Sequence, residues 1–310
     1  MPLLKGSFWK NYGSLLGLIG ICIVLGILSD RFLTLPNLIN ITRQVSINAI
    51  IASGMTLVII TGGIDLSVGS LVALSGCVAL MGMKLPGSDY SGILIGLVVA
   101  GAAGLFNGIL VAYGRVPPFI ATLAMLIMAR GIALAITAGQ PIVRSESPYL
   151  FLGEGYLGPI PVPIVIMGLV LVVSHFILNS TPMGSYLFAT GGNEEAARLS
   201  GIKVSRVKVW VYVISGLFSG VAGLVLAARL ASAQPNTGVG FELDAIAAVV
   251  LGGTSLMGGK GGIWGTLIGT FIIGVLNNGF NLLDVSPYYQ LIAKGIIIVF
   301  AVLLDQLLKR

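Results

Sequence analysis

Stretches of eighteen or more residues without any Lys, Arg, Asp or Glu recur along this chain of 310 residues. They cover residues 11–29, 44–64, 66–83, 90–114, 155–193, 209–228 and 261–283. As a helix, each run is long enough to cross a hydrocarbon core of ~30 Å. Only 9% of the residues are charged, against about 25% in soluble domains. The sequence therefore predicts an all-α polytopic membrane protein, with a single transmembrane domain over residues 1–310.

About ten transmembrane or re-entrant helices are predicted, and the eighth is short enough to be broken or re-entrant. They lie near 12–31, 45–62, 66–83, 92–113, 119–138, 162–179, 208–228, 243–256, 263–283 and 288–307. An even number puts both termini on one side. That side then holds ten basic residues, including Lys309 and Arg310, and the other holds five, including Lys84. The positive-inside rule makes the first side cytoplasmic.

One polar, helix-forming segment, residues 190–206, interrupts the apolar sequence on the cytoplasmic side. Asn193 is suited to cap a helix, and Glu194 and Glu195 suit the positive end of its dipole. Gly201 can end that helix about two turns later. The helix so bounded includes Ala196, Arg198 and Leu199. A short helix held between two membrane spans indicates a lever that acts on a cytoplasmic partner.

The longest loop predicted on the external side covers residues 139–161. It is rich in Pro and Gly and carries Arg144, Glu146 and Glu154. Loops of this kind often carry binding functions, so we interpret it as a docking surface for an external partner. A plain connector explains the same composition equally well.

Asp65, Arg130 and Lys294 are ionisable residues that fall within or beside predicted spans. Such groups usually face a bundle interior or a wet cavity and find a partner there. Asp65 could pair with Arg130 or with Lys294, and the sequence does not choose between them. For Arg130 and Lys294 we favour a structural role, as a buried ion pair or a helix-end contact, over a role in coupling or substrate binding.

Several polar residues of the spans suit a pathway for a neutral polyol, because amides both donate and accept hydrogen bonds. The candidates for a sugar path or its gating are Asp65, Ser67, Asn107, Asn277, Asn278 and Asn281. The alternative is that Asn side chains hold helices together in lipid. Residues 58–69 and 248–259 share the pattern Gly-Gly-x-x-Leu-x-x-Gly after an apolar run. Repeated halves with broken helices are typical of transporters.

Motifs for catalysis are missing from the sequence. There is no phosphate-binding loop of the type Gly-x-x-x-x-Gly-Lys-Ser/Thr, no metal-ligand spacing of His, Cys or Asp and no Gly-x-Ser-x-Gly elbow. The basic residues form no patch with aromatic residues that would indicate nucleic-acid binding. We therefore expect no catalytic residues, no metal and no ATP hydrolysis by the chain itself.

Six blocks of sequence carry a resemblance to a known family over roughly residues 37–305. They are Gly62–Ser70, Pro118–Leu123, Gly191–Ile202, Ser232–Pro235, Glu242–Leu256 and Leu276–Gly279. The chain resembles the membrane permeases of ATP-binding-cassette importers for monosaccharides, of the ribose type. The blocks are less specific to ribose, because permeases for galactose, xylose, arabinose, allose and autoinducer-2 share many of them.

The resemblance implies a homodimer in the bacterial inner membrane, with a fold similar to the permeases of vitamin-B12-type importers. Two cytoplasmic ATPase subunits would bind ATP and Mg²⁺, and a sugar-binding protein would dock outside. The segment from Asn193 to Gly201 would be the coupling helix, seated in a groove of the ATPase. Three alternatives stay open at this point: a secondary or passive sugar transporter without an ATPase, a membrane-embedded enzyme, and a structural subunit.

Overall fold

The structure of the protein is a computed structural model that describes residues 3–83 and 89–307, with side chains for residues 13–83, 89–297 and 299. Lys84, Lys309 and Arg310 lie outside the described residues. Within these ranges the helices are α1 (Leu3–Leu28), α2 (Leu35–Ile60), α3 (Val68–Gly82), α4 (Asp89–Ala112), α5 (Pro118–Thr137), α6 (Phe151–Glu154), α7 (Val162–Ser180), α8 (Pro182–Gly192), α9 (Glu194–Leu199), α10 (Val204–Arg229), α11 (Phe241–Leu251), α12 (Ile263–Leu282) and α13 (Pro287–Leu307). The strands are β1 (Ile142–Val143), β2 (Tyr156–Leu157), β3 (Ile160–Pro161) and β4 (Ser232–Ala233).

Helices α2, α4, α5, α7, α10 and α12 of the described chain are long and apolar enough to cross a membrane. The chain is therefore a multi-pass helical membrane protein. Each of the ten predicted segments overlaps one helix of the structure. The number of segments that cross the membrane, and the likeness to vitamin-B12-type permeases, stay predictions.

The core is built around α2, most of which is buried, and α7, α10, α11 and α12 pack against it. Small residues let α4 and α10 approach closely. A Cβ atom at Gly104 would overlap the carbonyl oxygen of Tyr212, and one at Gly216 would lie 3.0 Å from the Cα atom of Gly104. Such small-residue contacts are typical of helix packing in lipid, where dispersion contacts replace the hydrophobic effect between helices.

The loop predicted as external, residues 139–161, is folded onto the ends of α4 and α10. Strand β1 pairs antiparallel with β4, and β2 pairs antiparallel with β3. Arg144 forms an ion pair with Asp89 at 2.8 Å, and the buried Tyr149 hydroxyl donates to the Leu224 carbonyl. The loop thus has a defined fold, while its docking role and the alternative of a plain connector both stay predictions.

Basic residues assigned to the outer side lie together at this end. The Arg43 guanidinium lies 4.8 Å from the Tyr156 ring centroid, and Arg229 donates to the Asn40 side chain at 3.2 Å. At the opposite end, α4 ends at Ala112. The Ser205 hydroxyl donates to the Ala112 carbonyl at 3.5 Å. These groupings agree with the alternation of sides that the ten-segment topology requires.

Two boundaries differ from the prediction for local reasons. Helix α2 begins at Leu35, ten residues earlier than expected, because Pro36 suits a first helical turn and the polar residues after it hid the helical pattern. The uncharged run 155–193 contains two helices, since Thr181 is extended before Pro182, as residues before proline tend to be. Helix α8 thus carries the chain from the end of α7 to α9.

Candidate functional site

Helix α9 forms as the sequence predicts, with both ends fixed by local hydrogen bonds. The Asn193 side-chain oxygen accepts a hydrogen bond from the amide of Ala196 at 2.9 Å, which confirms the predicted cap. Gly201 follows the helix with φ +85, a left-handed conformation that glycine adopts without strain. The amide of Ile202 donates to the carbonyl of Ala197 at 3.1 Å, which closes the end of the helix.

One side of α9 is tied to the rest of the protein. Glu194 accepts from Arg198 at 3.0 Å within the helix and from Lys208 of α10 at 2.7 Å. Ala197 is buried. The other side is open: Glu195, Ala196 and Leu199 are exposed, and the Leu199 side chain reaches 85% exposure. A fully exposed leucine on a rigid polar helix is suited to a hydrophobic contact with a partner.

A junction of four glycines, Gly62, Gly191, Gly258 and Gly259, lies at the base of α9. The amide of Gly259 donates to the Ile60 carbonyl at 2.9 Å. A Cβ atom at Gly191 would overlap that same carbonyl oxygen, and one at Gly258 would lie 2.9 Å from the amide nitrogen of Gly62. The two segments that share the Gly-Gly pattern therefore meet here, directly before the cap of α9.

The candidates Asp65, Ser67 and Asn107 form one buried network with Ser215 of α10. Asp65 accepts from the Ser67 amide at 3.0 Å, from the Ser67 hydroxyl at 2.6 Å and from the Ser215 hydroxyl at 2.8 Å. Asn107 donates to the Ser67 hydroxyl at 3.0 Å. All four side chains are essentially without exposure. The network joins the turn between α2 and α3 to α4 and α10.

The expected pairing of Asp65 with Arg130 or Lys294 is wrong, because hydroxyl and amide donors close to Asp65 satisfy its carboxylate. Lys294 instead forms an ion pair with Asp244 of α11 at 3.1 Å. Arg130 donates to the carbonyls of Pro235 and Thr237, the latter at 2.7 Å. Lys294 thus joins α13 to α11, and Arg130 joins α5 to the segment before α11.

The three asparagines of α12 lie apart from the Asp65 network, and each of them has a different partner. Asn278 and Asn37 of α2 exchange two hydrogen bonds, at 2.9 and 3.0 Å. Asn277 hydrogen bonds the Asp244 carboxylate. Asn281 accepts from Gln290 of α13 at 3.0 Å. These contacts fit the alternative in which amides hold helices together, and a role in the sugar path stays a prediction.

Sequence reasoning missed Gln234, Asn236 and Thr237, which lie in an irregular segment between α10 and α11. Gln234 and Asn236 are exposed, and Thr237 is half-buried. The signal was present, since Ser232–Pro235 is one of the blocks that carry the resemblance. No periodicity in the sequence indicates, however, that this segment turns back from the end of α10 toward the middle of the protein.

Residues 37–302 match the family described as "Branched-chain amino acid transport system / permease component". The ribose import permease protein of Haemophilus influenzae is 49% identical over 98% of this chain and 95% of the relative. That of Bacillus subtilis is 52% identical over 96% and 93%. The D-allose transport system permease protein of Escherichia coli is 40% identical over 98% and 94%. No solved structure matches the chain.

These matches cover nearly the whole chain and almost the full length of each relative. They include α9, the glycine junction and the buried polar network. An enzyme or a purely structural subunit is disfavoured, because the relatives are named as transport permeases. The chain therefore belongs to this permease family and is similar to the ribose import permeases.

Proposed function

We propose that the chain is the membrane subunit of an ATP-driven importer that moves ribose, or a closely related monosaccharide, into the cytoplasm. The observation that carries the proposal is that α9 has an exposed face while its other side is fixed to the protein. The Glu194–Lys208 ion pair fixes it to α10, and the glycine junction fixes its base. The names of the relatives at about 50% identity supply the substrate class.

The proposed mechanism is alternating access driven through α9. ATP and Mg²⁺ bind to a separate ATPase subunit, and this chain binds no cofactor. Closure of the ATPase pair moves Leu199 and Glu195 with the groove in which α9 sits. The Glu194–Lys208 ion pair passes that motion to α10, and the glycine junction passes it to α2 and α11. ATP and sugar then bias one equilibrium through different contacts, which is what coupling requires.

The proposed assembly is a homodimer in the bacterial inner membrane, with both termini in the cytoplasm. The folded loop 139–161 is the docking surface for an external sugar-binding protein. Its ion pair between Arg144 and Asp89 and the buried Tyr149 hold the loop in one shape. A preformed surface loses less conformational entropy when a partner docks, which supports this assignment.

The proposed substrate is ribose or a closely related monosaccharide, not an amino acid. The description of the whole family names branched-chain amino acids, but the relatives of about 50% identity are named for ribose. Identity falls to 40% for the allose permease and to 36% for the L-arabinose transport system permease protein of Escherichia coli. This order of identities supports a pentose or hexose as the substrate, with ribose as the first candidate.

Among the six sugar-path candidates, gating fits Asp65, Ser67 and Asn107 better than direct sugar contact. Their side chains are enclosed and hydrogen bonded to one another in this conformation, so a sugar would first have to displace them. A network that links α2, α3, α4 and α10 can hold one arrangement of these helices. Asn277, Asn278 and Asn281 can do the same for α12.

The test is ATP hydrolysis by vesicles that contain the chain with its ATPase and sugar-binding partners, with and without ribose. We expect ribose to stimulate hydrolysis, and stimulation to disappear when residues 193–201 are scrambled. L-Arabinose and D-allose are the matched controls for the substrate. Ribose uptake by the chain alone, unaffected by ATP, would instead establish the alternative of a secondary or passive transporter.

A further inference from the structure

Residues 230–240, here named the re-entrant segment, descend deep into the protein from the outer end. At the outer end, the backbone amide of Arg144 donates to the Ala231 carbonyl at 2.9 Å. Lower down, the Ala233 methyl lies beside Gly76, and the Gly238 carbonyl lies against Gly69 in the first turn of α3. From Gly82, at the outer end of α3, to Gly69 is about 20 Å at the helical rise of ~1.5 Å per residue. The segment therefore passes the middle of a ~30 Å core.

The polar side chains of the re-entrant segment are exposed at a depth where lipid is expected. Gln234 and Asn236 are exposed and Thr237 is half-buried, as is Glu242 at the start of α11. By contrast, the exposed face of α7 is apolar at similar depth, with Leu169 62% and Val172 60% exposed. Irregular backbone and free amides do not face hydrocarbon, since no water is present there to satisfy them.

Arg130 shows how the segment is held in place. Its guanidinium donates to the carbonyls of Pro235 and Thr237. A charged group at this depth is tolerated when it faces protein or a wet cavity. The carboxylate of Glu242 interacts electrostatically with Arg130 from the start of α11. The side chains of Gln234 and Asn236 stay exposed, so their amides can meet a ligand.

Two recesses among the described residues of one subunit do not suit a sugar. One, lined by Val72, Gly76, Gly223, Gln234 and Thr237 among others, holds about 10 Å³, which is about the room of one water molecule. Another, of about 370 Å³, is lined only by Gly17, Gly20, Ile21, Val24, Leu25 and Leu276. It offers no polar side chain for a hydroxyl group. A polyol is better served by the exposed face of the re-entrant segment.

We propose that the re-entrant segment lines a water-filled cavity, open to the outer face and closed from lipid by a second copy of the chain, in which Gln234 and Asn236 bind the hydroxyl groups of the monosaccharide. Amides donate and accept hydrogen bonds without the cost of a buried charge, which suits a neutral polyol. The sugar assignment and the second copy that closes the cavity rest on the proposed function, whereas the access of water to the re-entrant segment does not.

The cavity is tested with single cysteines in the full importer, after Cys22→Ser and Cys77→Ala remove the two native cysteines. A membrane-impermeant cationic methanethiosulfonate reagent is added from outside. We expect Gln234→Cys and Asn236→Cys to be labelled, and Leu169→Cys and Val172→Cys, at matched depth on α7, to stay unlabelled. Reactivity of positions 234 and 236 as low as that of 169 and 172 would overturn the cavity.

Sugar contact is tested separately with Gln234→Leu and Asn236→Leu, scored only in complexes that still contain the ATPase. Loss of one hydrogen-bonding side chain is expected to raise the KM for ribose about threefold to tenfold, with Val239→Leu as the control. Unchanged KM in both variants would overturn sugar binding even if both positions are labelled. If the wild-type complex transports no ribose, the proposed function fails, and the labelling result still decides the cavity.

Discussion

The backbone amide of Gly259 donates a hydrogen bond to the carbonyl oxygen of Ile60 at 2.9 Å. These residues are far apart in sequence, yet each belongs to one of the two segments that share the Gly-Gly pattern. Gly191, two residues before the cap of α9, packs against both partners of this bond. A displacement of α9 would therefore be transmitted to the end of α2 and to the loop after α11 through backbone contacts, with no intervening side chain.

Gly191→Ala is expected to disrupt this junction. The new Cβ atom would overlap the Ile60 carbonyl and lie 2.6 Å from the Gly259 nitrogen, so backbone must move. We expect a lower melting temperature in detergent and loss of ribose-stimulated ATP hydrolysis in the assembled importer.

Gly192→Ala is the matched control, because nothing lies within 4 Å of a Cβ atom at that position. Alanine is favoured over glycine in a helix by about 1 kcal/mol, so this variant should keep or gain stability and remain coupled. Equal behaviour of the two variants would show that the junction tolerates a side chain and does not depend on close backbone approach.

Leu199→Asp tests the exposed face of α9. Because Leu199 is 85% exposed, the free energy of unfolding of the isolated permease should change by less than about 0.5 kcal/mol. Binding of the ATPase and stimulation of hydrolysis should fall together, as they should in Glu195→Trp. Leu199→Met preserves an apolar contact and is the control. Normal stimulation in Leu199→Asp would mean that another surface couples to the ATPase.

Substitutions of Gly201 at the end of α9 distinguish the effect of backbone strain from the effect of side-chain bulk. Gly201 has φ +85, and a β-branched residue there costs roughly 1–3 kcal/mol. Gly201→Val should therefore weaken coupling by tilting α9, whereas Gly201→Asn, which tolerates this conformation, should retain most of it. The measurement is ribose-stimulated ATP hydrolysis at equal amounts of assembled complex. If both variants lose coupling equally, side-chain bulk rather than backbone strain is responsible.

Local signals predicted α9 and the apolar helices correctly, because a capping Asn193, a terminating Gly201 and uncharged runs act over a few residues. The partner of Asp65 could not be predicted, since Ser215 is 150 residues away and nothing in the sequence distinguishes its hydroxyl from those of other serines and threonines. The descent of the re-entrant segment was hidden for a similar reason. It depends on Gly238 fitting against Gly69, and a chain with 44 glycines gives no indication of which two will meet.

The amide pair of Asn37 and Asn278 allows helix association to be distinguished from a sugar path. If its two hydrogen bonds only join α2 to α12, Asn37→Ala and Asn278→Ala should each lower stability. A double-mutant cycle should then give a coupling energy of about 0.6 kcal/mol, and up to about 1.7 kcal/mol. Ribose KM per assembled complex should not change. A rise in KM in Asn278→Ala with intact stability would instead support the sugar-path hypothesis for this residue.

The ion pair of Lys294 and Asp244 gives the last prediction, which separates a structural from a functional role. Lys294→Met leaves a largely buried carboxylate without its cation, and loss of one partner of such a pair costs about 3 kcal/mol. The lower end of the range applies because the Lys294 side chain is 26% exposed. Asp244→Asn in the same chain removes the unpaired charge and should restore the melting temperature. If the pair is structural, the double variant should also transport ribose at the wild-type rate. A double variant that is stable but does not transport would show that the charges take part in coupling.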